Sequence, residues 1–180
     1  MANEHLISKW RLLFKALDVR HAGRISKEDI KQEEQTFAEL HNLDAERKKE
    51  MEEDMDELMK ELLFRGRPGP ITEQEFIDMN NSEYKADKEN FVEKMQKCLA
   101  ADFANMDVSG KGSLTEDEFI KAFRALGHEN ITLDKKFFES YHPVNGEVPL
   151  ELLISSWVEF ATSEDSSKQD MVKEALESGL

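Results

Sequence analysis

Twelve residues, Asp107-Val-Ser-Gly-Lys-Gly-Ser-Leu-Thr-Glu-Asp-Glu118, set oxygen donors at a spacing that suits a hard divalent cation. Asp107 offers a carboxylate at the first place and Ser109 a hydroxyl at the third. Ser113 offers its backbone carbonyl at the seventh place, and Thr115 an oxygen at the ninth, directly or through water. Glu118 closes the shell at the twelfth place with one or both carboxylate oxygens. Gly112, at the sixth, permits the sharp turn that brings these groups round one point. Lys111 breaks the pattern, because it places a cation at the fifth position, where an oxygen is expected. The chemistry is coordination rather than catalysis. No nucleophile–base pair stands out, the Asp and Glu runs sit on solvated helix faces, and the chain reads as a non-enzyme. Histidines 5, 21, 41, 128 and 142 are scattered without zinc spacing.

This is the register of an EF-hand loop, and the frame recurs four times. Gly23-Arg-Ile25, Gly69-Pro-Ile71, Gly112-Ser-Leu114 and Gly146-Glu-Val148 each place glycine sixth and an apolar residue eighth. An apolar residue follows five positions later at Ile30, Phe76, Phe119 and Leu153. Structural positions repeat while ligand positions do not. The first loop, from Asp18, has Arg20 and Ala22 at places three and five and the shorter Asp29 at twelve. The second, from Phe64, has Gly66 and Pro68 there, although Glu75 keeps place twelve. The fourth, from Tyr141, loses places three and twelve to Pro143 and Leu152. Only the third loop retains a near-complete donor set.

Elements that would position these loops are legible from apolar periodicity. Leu6, Ile7, Trp10, Leu13, Phe14 and Leu17 mark one helix face ahead of the first loop. From Asp44, a plausible N-cap, a helical pattern runs to about Phe64, with Met51, Met55, Leu58, Met59, Leu62 and Leu63 inward. The methionines would suit an adaptable groove, but their spacing favours core. Phe91, Met95, Cys98, Leu99, Phe103 and Met106 mark the helix entering the third loop. Phe119, Ala122, Phe123 and Leu126 mark the helix leaving it, which Gly127 ends. Ser26 with Asp29, Thr72 with Glu75 and Thr115 with Glu118 read as caps of the exiting helices. Asn80-Asn-Ser-Glu-Tyr84 reads as a polar break between two halves. Beyond Thr162 the chain is polar, with a short pattern at Met171, Val172, Ala175 and Leu176 that fits either a docked helix or a frayed end.

Composition bounds the partners. Asp and Glu outnumber Lys and Arg by 39 to 24, for a net charge of −15. That excludes nucleic acid and anionic membrane surfaces as expected partners. No apolar run reaches membrane-span length, and Met-Ala-Asn-Glu-His is not followed by a signal-peptide core. Cys98, the single cysteine, cannot form an internal disulfide, and its apolar neighbours suggest a buried thiol. The expectation is a soluble cytoplasmic monomer.

Taken together, the chain resembles the invertebrate sarcoplasmic calcium-binding proteins over nearly its whole length. The resemblance rests on Trp10 and Phe14 before an early loop, a long second-hand helix and Phe-Ala-Asn-Met-Asp-Val-Ser-Gly at 103–110. It rests also on a poorly conforming fourth loop followed by Trp157-Val-Glu-Phe160 and a polar tail. It implies a compact four-hand protein with two or three working sites, acting as a calcium and magnesium buffer, often in muscle. The architecture is also similar to that of coelenterate photoproteins and luciferin-binding proteins, which enclose an apolar ligand. That would give Trp10, Trp157, Tyr141 and the phenylalanines a lining role, although ordinary packing is the favoured reading. The end, Leu176-Glu-Ser-Gly-Leu180, lacks the proline expected of a photoprotein.

The resulting expectation is an all-α fold of two EF-hand pairs, residues 1–80 and 81–162, with two-stranded ladders between paired loops and a polar tail at 163–180. Calcium, at one weak site formed by Asp107, Ser109, Ser113, Thr115 and Glu118, is the expected ligand, with magnesium as a competitor. The competing expectation is a scaffold that has lost metal and binds a small apolar molecule or a partner helix.

Overall fold

A computed structural model describes all 180 residues. Helix α1 (Glu4–Leu17) leads through the first loop to strand β1 (Arg24–Ile25) and α2 (Lys27–Leu40). Helix α3 (Ala45–Met59), continued by a π-helical turn over Lys60–Phe64, leads to β2 (Ile71–Thr72) and α4 (Glu73–Ala86). Helix α5 (Lys88–Met106), β3 (Ser113–Thr115) and α6 (Glu116–Ala125) form the third hand. Helix α7 (Ile131–Ser140), β4 (Glu147–Pro149) and α8 (Leu150–Thr162) form the fourth, and α9 (Met171–Glu177) follows.

The eighth-place residues make the ladders. Ile25 pairs with Ile71 in β1–β2, and Leu114 with Val148 in β3–β4, both antiparallel. All four side chains are buried, so each ladder is pinned by apolar packing as well as by main-chain hydrogen bonds. The exiting helices start where the caps were read. Ser26, Thr72 and Thr115 each accept from the backbone N–H three residues on, and Asp29, Glu75 and Glu118 return the bond. Asp44 caps α3 by accepting from the Arg47 amide.

The helix faces inferred from periodicity face inward. The three apolar stripes of α1, α3 and α5 are buried, Cys98 included, within one continuous core that runs through both halves. Leu126 is only half-buried, because the chain has left α6 at that point. Gly127 adopts φ 82°, and a Cβ there would meet the Val19 side chain at 2.9 Å, so glycine lets this corner pack on the first loop.

Two regions differ from expectation. Residues 80–84 do not break the chain; they lie inside α4, and the turn between the two pairs falls at Asp87. Tertiary partners hold these polar residues in the helix. Asn80 is fully buried and accepts from the Arg65 guanidinium, Asn81 accepts from the Ala2 amide, and Tyr84 stacks edge-on against Trp10 and Phe91. The polar tail carries α9, docked on the body through buried Val172 and Leu176. Lys9 of α1, itself 1% exposed, clamps this segment: its Nζ lies 3.2 Å from Asp170 Oδ2 and 5.7 Å from the Phe160 ring centre. A buried ammonium needs such partners, and the N-cap carboxylate of α9 supplies them.

Candidate metal centre

The third loop hangs between the end of α5 and the start of α6. Asp107 is buried and is held by its own loop: Oδ1 accepts from the Lys111 amide at 3.2 Å and Oδ2 from the Gly112 amide at 2.7 Å. Gly112, at φ 79°, makes the turn that aims these amides at the carboxylate. Ser109 Oγ lies 3.3 Å from Asp107 Oδ1 and 3.0 Å from Glu118 Oε1. One hydroxyl therefore joins the first-place and twelfth-place carboxylates, and the three side chains converge on a common point. Ser113 and Thr115 flank it in β3, and the Gly112 carbonyl accepts from the Leu150 amide at 3.0 Å, tying the loop to its partner hand.

Glu118 has two duties. Its Oε2 accepts from the Thr115 amide at 2.9 Å and from the Thr115 hydroxyl at 3.2 Å, completing the cap of α6. As it stands, Oε1 alone is turned to the loop interior, and two-oxygen coordination would need the cap to give way.

Lys111 is drawn out of the loop. Its Nζ lies 2.8 Å from Glu147 Oε1 of β4, and that hydrogen bond raises the pKa of its ammonium. The charge at place five is thus directed at the paired fourth loop. This partner is 36 residues away and was not legible as such in the sequence. Arg47 of α3 also donates to the Val108 carbonyl, bracing the loop from the first half.

The donor set fits a hard cation, since every side chain converging on the point presents oxygen. It is lean in charge, with no cluster of three or more acidic, histidine or cysteine side chains arranged as for a metal. Of the five residues singled out, Ser109 lies within hydrogen-bond reach of both Asp107 and Glu118, Thr115 bonds to Glu118, and Ser113 stands two residues before Thr115 in β3.

The other loops differ at the same places. In the first, Asp18 is cradled likewise, accepting from the Ala22 and Gly23 amides at 3.2 and 2.8 Å. Arg20, at the third place, puts Nε 2.9 Å from Asp29 Oδ1, an ion pair lying off the hydrogen-bond direction. In the second and fourth, Phe64 and Tyr141 bury their rings at the first place.

The apolar core is filled by aromatic contacts, including Phe119 on Phe123 at 4.7 Å and Phe103 on Trp157 at 6.2 Å between ring centres. A cavity bounded by Leu13, Met95, Phe103, Phe123 and Trp157 offers about 40 Å³. Small-molecule pockets run to roughly 300–1,000 Å³.

Four helix–loop–helix hands in two ladder-paired couples define an EF-hand protein of the compact four-hand class. The chain is 34% identical over 176 residues to the sarcoplasmic calcium-binding protein of Mizuhopecten yessoensis, an alignment covering 97% of this chain and 99% of that one. It belongs to the sarcoplasmic calcium-binding protein family. The fold is similar to that of the coelenterazine-binding protein from Renilla muelleri in its calcium-loaded apo form, with TM-score 0.73, 17% identity and coverage of 92% and 91% of the two chains. It is also similar to n-aequorin, with TM-score 0.70, 16% identity and coverage of 96% and 94%. No family model matches the sequence. No helix is long and apolar enough to cross a membrane.

Proposed function

We propose that this protein is a cytoplasmic, monomeric calcium-binding protein of the buffer type, with one operative site in the third loop. The observation that carries the reading is the position of Ser109 Oγ, within hydrogen-bond reach of both Asp107 and Glu118, which brings three oxygen-bearing side chains close together. A divalent cation would be held by Asp107, Ser109 and Glu118, with the Ser113 carbonyl and Thr115 completing the shell. The removal of Lys111 to Glu147 supports it, since the one misplaced charge is occupied elsewhere. Two carboxylates and a capped Glu118 favour weak binding, with a dissociation constant on the order of 10⁻⁵ to 10⁻³ M. Magnesium competes, because one-oxygen binding by Glu118 suits its six-coordinate shell. The Mizuhopecten relative's name points the same way.

Calorimetric titration of metal-stripped protein with calcium, with and without millimolar magnesium, tests this. One site that disappears in Glu118→Gln is the expected result. No heat and no calcium-dependent shift in thermal stability would leave the hands as scaffold.

A further inference from the structure

A second acidic group lies outside the loops. Glu33 of α2 and Asp102 of α5 line one small cavity at the junction of the first and second pairs of hands, together with Glu34 and Asn105. The remaining wall is apolar, largely Met51, Met55, Met59 and Met106, and the space is about 20 Å³, room for a single water. Glu33 and Glu34 are 6% and 1% exposed. Glu33 Oε2, Glu34 Oε1 and Asn105 Nδ2 are buried without a hydrogen-bond partner. Asp102 retains some accessible surface, and it lines both this cavity and its neighbour beside Trp157.

Charged groups facing the cluster are unevenly placed. Glu33 faces Asp102 from α5 and Glu34 from its own helix, with no cation opposite. Glu34 is partnered by Lys31 Nζ at 2.9 Å and faces Asp56 and Glu52 from α3. The walls from α1 and α6 contribute only Leu17, Ala122 and Ala125. Two carboxylates across an apolar cavity cannot both ionise without strong repulsion and desolvation cost.

We propose that Glu33 and Asp102 form a proton-dependent lock between the two halves, closed while the pair holds protons and loosened when both carboxylates ionise. Methionine walls suit such a joint, since their side chains re-pack readily when the cavity takes in water.

Burial pushes Asp102 up to about 7, and burial, then the charges of Asp102 and Glu34, push Glu33 well above the usual carboxylate range. A raised folded-state pKa gives stability that is complete below the unfolded value and is lost as pH rises through the folded one. The window runs from about pH 4 to 7 for Asp102 and extends upward for Glu33. Buried His128, whose pKa burial lowers, acts in the opposite sense, so the comparison must be made against a variant.

The test is urea unfolding of the full-length chain in chelator at pH 5.5 and 8.5, for the parent, Asp102→Asn and Glu33→Gln. The unfolding constant of the parent should rise between the two pH values by roughly thirtyfold more than that of Asp102→Asn. Equal pH slopes in all three proteins would overturn the lock. Carboxyl-carbon NMR titration of the parent decides the matter even if a variant does not fold. Asp102 and Glu33 titrating near or above neutrality is the expected result, with the Glu33 midpoint falling in Asp102→Asn. Midpoints in the ordinary carboxylate range would overturn it.

Discussion

The first and third loops share a skeleton and differ in what fills it. In each, the first-place aspartate accepts from the amides of places five and six, and the twelfth-place acid caps the helix leaving the loop. In each, the third-place side chain reaches the twelfth-place carboxylate. In the third loop that side chain is Ser109, a neutral oxygen that a metal ion can use. In the first it is Arg20, a fixed cation on Asp29. The first loop thus carries a positive charge of its own at place three, with Ala22 where a ligand would be at place five. The two loops therefore differ in donor chemistry at the third and twelfth places, Ser109 and Glu118 against Arg20 and Asp29, while neither has a side-chain oxygen at the fifth and the backbone path is shared.

The largest effect expected is loss of the third loop's response. Glu118→Gln keeps the helix cap, since glutamine also closes a capping box, but removes one of two carboxylates. Calcium affinity should fall by about a hundredfold, near 2.7 kcal/mol, read by titration calorimetry. The reverse exchange comes next. Arg20→Ser with Ala22→Asp and Asp29→Glu installs the missing oxygens in the first loop, and calcium stoichiometry should rise from one to two. An unchanged stoichiometry would mean that more than these three positions silences the loop.

Lys111→Asp should raise calcium affinity by roughly tenfold, because it adds a carboxylate at place five and removes a cation. Lys111→Met should produce a smaller rise, since the ammonium already rests on Glu147. Equal effects would show that the ligand matters less than the charge. The smallest effect is expected of Arg20→Ala, which strips Asp29 of its partner. Asp29 is 9% exposed but Arg20 is 61% exposed, so solvent screens the pair and the loss should be about 1 kcal/mol by urea unfolding.

Much of this could be read from residues alone. The four loops, their pairing and the helix caps depend on neighbours within a few positions, and local chemistry of that kind is visible in a chain. The spacing of the methionines in α3 points to the core, and Met51, Met55 and Met59 are buried there. The polar run at 80–84 misled, because Asn80 and Tyr84 are held in α4 by Arg65 and Trp10, partners that helix propensity does not encode. Lys9, between core residues of α1, gave no sign of facing inward until Asp170 arrived from the far end of the chain.

By itself, the sequence determined the number of hands, the path of each loop and the lean donor set of the third. Glycine at place six, an apolar residue at place eight and oxygen donors at fixed intervals act over a single turn of backbone. The tertiary structure decided where the charges rest. Lys111 rests on Glu147, α9 is clamped by Lys9, and Glu33 faces Asp102 across a methionine-walled space. Each pairing joins groups far apart in the chain, and the strength of a charge depends on what surrounds it after packing.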